Sequence, residues 1–217
     1  MVRSRKTVLV LATMNEGKAR EIAKGLGGLP VKVVTLAEAG IRSPYPEKGT
    51  TFEENAAGKS LFYGRRSDHL TLAEDSGLEI EALDGAPGIF SARFSGRRPT
   101  DEKNIRKVLR LMKDAPSGAR RARFVCCMVL SIDGRTIKTA IGRVRGEIKF
   151  EKKGEFGFGY DPIFFYKPLG KTFGELKPSD KNAVSHRGRA LNKMKEFLRG
   201  YLKDRPSPFP PKRDGRK

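Results

Sequence analysis

The chain has 217 residues, 37% of them hydrophobic, and carries 45 Lys+Arg against 25 Asp+Glu, a formal net charge of +20. That length suits one sizeable domain or two small lobes sharing a cleft, and no run approaches the ~18 apolar residues of a membrane span. The charge favours polyanionic partners such as nucleotides or nucleic acid.

TVLVLAT, residues 7–13, is a short β-branched run that predicts a buried strand. It ends at MNEGK, after which Ala19, Ile22, Ala23 and Leu26 fall at helical spacing before a glycine stop. VKVVTL predicts a second strand, and AGIRSPYPEKGTT a loop. FEENAAGKSLFYGRR has helical spacing through Phe52, Ala56, Lys59 and Tyr63, with Thr51 as N-cap and Glu54 completing a capping box. LTLAEDSG predicts a strand ending in a turn, and LEIEAL a strand with alternating faces.

PTDEKNIRKVLRLMKD is an amphipathic helix through Ile105, Val108, Leu109 and Met112. The stretch ARFVCCMVLSIDGRTIKTAIGRVRGEI predicts two or three antiparallel strands, with Asp133-Gly134 as a hairpin turn. Cys126 and Cys127 are neighbours there and point to opposite faces, which fits buried thiols in a reducing cytoplasm rather than a disulfide. YDPIFFY predicts a further strand and SHRGRALNKMKEFLRGYL a closing helix. The basic, Pro-rich tail 204–217 is expected to be disordered, leaving residues 1–203 as one two-lobed domain. The opening MVRSRKTVLVLATMN has no signal-peptide pattern, so a cytoplasmic location is expected.

Four segments combine residue types that carry chemistry. Thr13, Met14, Asn15, Glu16, Gly17 and Lys18 join a strand end to a helix start, which suits either phosphate or a plain helix cap. In AEDSG, Glu74 and Asp75 either decorate a turn or, with Glu54 or Glu47, offer hard oxygens to Mg²⁺. EFGFGYDPIFF flanks Phe156 and Phe158 with glycines, so a ring can stack on a flat ligand or simply enter the core. KPSDKNAVSHRGRAL gathers Lys181, Ser185, His186 and Arg187 near the last helix start.

Taken together, ATMNEGKAREI, TFEENAAGKS, EDSGLEIEALDGAPGIFSARFSG, GFGYDPIFF and KNAVSHRGRAL resemble the inosine triphosphate pyrophosphatase (Ham1-like, RdgB-like) family, over Ala12 to Leu191. The resemblance implies a mixed α/β fold, a long sheet with two lobes around a nucleotide cleft, in a homodimer. It implies Mg²⁺-dependent hydrolysis of inosine, deoxyinosine and xanthosine triphosphates to monophosphate and pyrophosphate. By the same resemblance Asp75 is metal ligand and proton acceptor, and Ser76 contacts substrate. Thr13 to Lys18 form the nucleotide-contacting first loop and Lys59 contacts phosphate; in the mechanism expected from this, Lys18, Lys59 and Arg93 balance charge on the leaving pyrophosphate. Phe158, Gly159, Tyr160 and Asp161 hold the base, and Lys181, His186 and Arg187 read its 6-oxo group. Glu54 or Glu47 completes the metal site. Met14 stands where the family usually has glycine, and Glu74 where it usually has aspartate. No membrane partner is expected and nucleic acid is not required. The rival readings are a Maf-like nucleotide pyrophosphatase and a nucleic-acid-binding protein.

Overall fold

The computed structural model describes residues 7–204. The tail expected to be disordered, apart from Asp204, lies outside the described residues. Strands β1 (Thr7–Ala12) and β2 (Val31–Thr35) flank helix α1 (Glu16–Gly25), and helix α2 (Phe52–Ser67) leads into β3 (Leu70–Ile80). Helix α3 (Asp101–Leu111) precedes a long hairpin of β4 (Arg121–Ile132) and β5 (Arg135–Ile148). Short strands β6 (Phe164–Tyr166) and β7 (Lys171–Thr172) come next, then helices α4 (Pro178–Val184) and α5 (His186–Asp204). The seven strands form one mixed sheet in the order β2-β1-β3-β4-β5-β6-β7. β1 lies parallel to β2 and β3, and every later pairing is antiparallel.

The hairpin turns at Asp133 and Gly134, both at positive φ (50° and 71°), as its Asp-Gly pair predicts. The strand expected to stop at Ser76-Gly77 does not stop. β3 runs straight through, pairing Ser76 with Cys126 and Gly77 with Val125. Gly77 marks a close approach instead: a Cβ there would lie 2.3 Å from the Gly88 carbonyl oxygen and 2.5 Å from Ser91 Oγ. Only Leu78 to Ile80 of the expected alternating strand are extended, and Glu81–Leu83 is a 3₁₀ turn ending at Asp84 (φ 49°). Likewise Asp161–Ile163 is a 3₁₀ turn containing Pro162, so the last expected apolar strand begins only at Phe164.

Along one face of β3, Leu70 and Leu72 enter a core with Ile22 of α1 and Leu191 and Met194 of α5. Further along that face Leu78 and Ile80 enter another, with Ile105 and Val108 of α3 and Phe124 of β4. Between them the same face carries Glu74 and Ser76. The opposite face carries Asp75 against Cys127, which packs with Phe52 and Ala56 of α2. The middle of a central strand is therefore polar on both faces, an arrangement too costly to bury unless every charge is paired.

Candidate active site

β1 accompanies β3 only as far as Ala12↔Ala73. Beyond that register the chain of β1 turns away through Thr13 to Asn15 into α1, and Glu74 onward borders a cleft. The position is the carboxyl end of β1, where parallel pairing gives way to antiparallel. Open α/β sheets collect ligands at such ends. Asn15 caps α1, its Oδ1 accepting the Lys18 N–H at 3.0 Å, and Thr13 Oγ1 accepts the Asn15 N–H at 3.2 Å.

On the α2 side, Lys59 Nζ bridges two carboxylates, donating to Asp75 Oδ1 at 2.9 Å and Glu47 Oε1 at 2.7 Å. Arg93 Nη1 donates to the other Glu47 oxygen at 2.8 Å. Asp75 Oδ2 is buried with no hydrogen-bond partner. Burial raises the Asp75 pKa above its ordinary value, and the Lys59 charge only partly offsets this. For Glu47, burial is outweighed by Lys59 and Arg93, and its pKa is lowered.

On the α5 side, Glu74 is fully enclosed. Its Oε1 meets Lys18 Nζ at 2.6 Å, and its Oε2 accepts from Arg187 Nε at 3.3 Å and Cys126 Sγ at 3.1 Å. Burial alone would raise this carboxyl, but Arg187 and Lys18 overcome it and hold the pKa well below the carboxylate range. Arg187 also donates from Nη1 to Glu21 Oε2 at 2.6 Å and from Nη2 to Ser76 Oγ at 3.1 Å, so each of its nitrogens has a protein acceptor. Lys181 donates to Glu21 Oε1 at 2.8 Å and to Asp161 Oδ2, which also accepts the Phe158 N–H.

The Phe158 ring covers this cationic floor, with Lys181 Nζ 4.7 Å and the Arg187 guanidinium carbon 5.3 Å from its centroid. It also borders Gly17, where a Cβ would stand 3.1 Å from the ring. Gly159 donates its N–H to Asp101, and the Tyr160 hydroxyl donates to the Ser91 carbonyl. His186 stacks on Phe124 with centroids 4.5 Å apart, and its Nδ1 is buried without a partner. Burial, reinforced by Arg187, pushes its pKa well below 6.5, so the imidazole is neutral.

The cleft thus brings together Asn15, Lys18, Ser76, Phe158, Gly159, Tyr160, Asp161, Lys181, His186 and Arg187, with Asp75, Lys59, Glu47 and Arg93 across β3. Glu54 stays out. Its Oε2 accepts the Thr50 N–H at 2.7 Å and the Thr50 hydroxyl at 3.0 Å, one residue short of the expected capping box. Five residues separate it from Lys59, which turns it ~140° away on the helix. The acidic cluster also divides: Glu79 pairs with Arg123 and Glu81 with Arg121 on the surface. Glu16 makes a helix-surface contact, its carbonyl accepting from Arg20. Met14 is 63% exposed and its φ is not positive, so a side chain at this loop position introduces no backbone strain.

Glu21 was not foreseen, although it joins Lys181 to Arg187. The readable signal was its position three residues after Lys18, on one side of the same helix. Among the described residues no three His, Cys, Asp or Glu side chains are grouped to hold a metal ion.

The model of the Ham1 family matches residues 9–197. The chain is 45% identical over 203 residues to the dITP/XTP pyrophosphatase of Clostridium tetani, covering 92% of this chain and 100% of that one. It is 43% identical over 189 residues to the dITP/XTP pyrophosphatase of Bacillus subtilis, covering 87% and 96%. Among solved structures, a HAM1 protein from Coxiella burnetii superposes with a TM-score of 0.81 at 38% identity, covering 89% of this chain and 99% of that one. The Staphylococcus aureus Ham1 protein gives 0.81 at 39%, covering 90% and 100%. With the whole mixed sheet and nearly the whole sequence in common, the chain belongs to the Ham1 family.

Proposed function

We propose that the protein hydrolyses non-canonical purine nucleoside triphosphates (ITP, dITP and XTP) to the monophosphate and pyrophosphate. The observation that carries this reading is the division of labour across β3. Asp75, Lys59 and Glu47 lie on one face, and a ring-covered cationic pocket of Phe158, Lys181 and Arg187 lies off the other. One part suits a triphosphate and the other a flat, oxygen-bearing base. The dITP/XTP pyrophosphatase activity for which the bacterial relatives are named supports the same reading.

Mg²⁺ fits the phosphate side. Asp75 Oδ2 is a buried oxygen without a partner, Glu47 is held beside it through Lys59, and two carboxylates completed by substrate phosphate oxygens suit this ion. When bound, the ion supplies charge neutralisation on the phosphates and makes a coordinated water more acidic. Asp75 then accepts the proton of the attacking water. Burial makes it a stronger base than an exposed aspartate, and the Lys59 ammonium partly offsets that rise. Lys18, Lys59 and Arg93 supply positive charge to the leaving pyrophosphate.

On the base side Phe158 stacks on any purine, whereas Arg187, Lys181 and His186 discriminate. Arg187 is held by Glu74, Glu21 and Ser76 before substrate arrives, so its remaining N–H groups need no reorganisation. An adenine 6-amino group facing such donors leaves both sides unpaired, costing about 1–3 kcal/mol per group. A cytoplasmic homodimer completes the reading, and light scattering on the purified protein tests its stoichiometry.

The deciding experiment measures pyrophosphate release from ITP, dITP, XTP, ATP, GTP and dTTP with Mg²⁺, for wild type and Asp75→Asn. Expected is a clear preference for the first three and loss of turnover in a folded variant. Equal kcat/KM for ITP and ATP, or a variant near wild-type rate, would sink the proposal.

A further inference from the structure

The charge excess is not spread evenly. Helix α3 reads DEKNIRKVLRL, and Lys103, Arg106, Lys107 and Arg110 fall within a ~100° arc of its surface. The opposite side buries Ile105 and Val108. The two lysines are fixed to the neighbouring loop, Lys103 Nζ donating to the Arg98 carbonyl at 3.0 Å and Lys107 Nζ to that of Phe94 at 2.7 Å. Arg106 and Arg110 make no hydrogen bond or salt bridge among the described residues. Both α3 carboxylates are engaged elsewhere: Asp101 accepts the Gly159 N–H, and Glu102, whose field reaches Arg106, is held by Lys152 at 2.6 Å. Arg97 and Arg98 add two exposed cations just before the helix.

Like charges three and four residues apart destabilise a helix by a few tenths of a kcal/mol per pair. Here they repeat along the face with no protein counter-charge paired to the arginines. The four side chains border a concavity of about 240 Å³ together with Ser95, whose hydroxyl oxygen is buried and has no hydrogen-bond partner. Fixed cations beside an unpaired hydroxyl are a phosphate-binding chemistry.

We propose that this face of α3 binds the phosphodiester backbone of duplex nucleic acid, a second binding function separate from the cleft. Lys103 to Arg110 span about 10 Å, room for two successive phosphates of one strand. The arc contains no aromatic side chain on which an unpaired base could stack, which favours a duplex over a single strand. Contacts confined to phosphate carry no sequence preference.

The test is fluorescence anisotropy with DNA and RNA duplexes of about 20 base pairs, titrated between about 50 and 200 mM salt. Two phosphate contacts predict a log–log salt slope of about −1.8 for duplex DNA. Arg106→Gln/Arg110→Gln should bring that slope close to zero and weaken binding at least tenfold, with melting temperature and ITP hydrolysis unchanged. Stronger binding to one duplex than the other, if lost in the variant, identifies the preferred nucleic acid. The proposal is overturned by absence of saturable binding or by an unchanged slope in the double variant. Tighter binding to phosphatidylglycerol vesicles than to either duplex also overturns it, assigning the face to a membrane surface.

Discussion

Glu74 is where the site's electrostatics can be tested most directly, because its carboxylate holds both Lys18 and Arg187. Replacing it with Gln keeps the shape and removes the charge. Removing one partner of a buried ion pair costs about 3–5 kcal/mol. Two features place this case at the low end: the Lys18 side chain is 17% exposed, and Arg187 retains Glu21 at 2.6 Å. A loss of about 3 kcal/mol in a chain of this size corresponds to a melting temperature lower by ~6–12 °C.

The pH dependence gives the sign. Glu74 has a folded-state pKa below its ordinary value of 4.5, so its stabilisation is fully present above that value and is lost as pH falls toward the folded pKa. The stability gap between wild type and Glu74→Gln should therefore be constant from pH 8 to about 5.5 and narrow below about 4.5. Urea titrations at each pH measure it. A melting temperature within ~2 °C of wild type at pH 7, or a gap that widens in acid, would refute the reasoning.

Lys59→Met removes the charge that offsets burial of Asp75, so the acid limb of kcat/KM should move to higher pH. A limb that stays or moves down, read from normalised pH–rate profiles, excludes Lys59 as the charge that offsets burial of Asp75. Glu47→Gln should raise the Mg²⁺ concentration for half-maximal rate, while Glu54→Gln should leave it unchanged because that carboxylate is spent on Thr50. Metal titrations of the two variants side by side decide between them. Gly77→Ala should destabilise the protein by about 3 kcal/mol through contact with Gly88 and Ser91. Wild-type stability in denaturant titration would show that the 3₁₀ turn Gly88–Arg93 yields easily.

Local signals in the sequence set most of the helices and strands, because apolar periodicity and caps act within a few residues, whereas the short α4 and β7 carried no such signal. Thr51 receives the Glu54 N–H as its position at the helix start predicts, and Asp133-Gly134 turns the hairpin. The segments that meet in the cleft were legible only in combination, since each alone suits a cap, a turn or the core as well as a ligand. Tertiary structure decided everything that depends on which face a residue occupies. Ser76-Gly77 looked like a turn because Asp, Ser and Gly favour one locally, but pairing with β4 overrode that preference and Gly77 serves a contact from another segment. The choice between Glu47 and Glu54 as neighbour of Asp75 lay in helix phase and in a loop that reaches back to Lys59, neither of which is a local property. Arg187 looked free to meet a ligand, and the fold surrounds it with Glu21, Glu74 and Ser76, drawn from α1 and β3. Short-range rules fix elements; only packing assigns partners to a buried charge, because its energy depends on groups more than a hundred residues away in the chain.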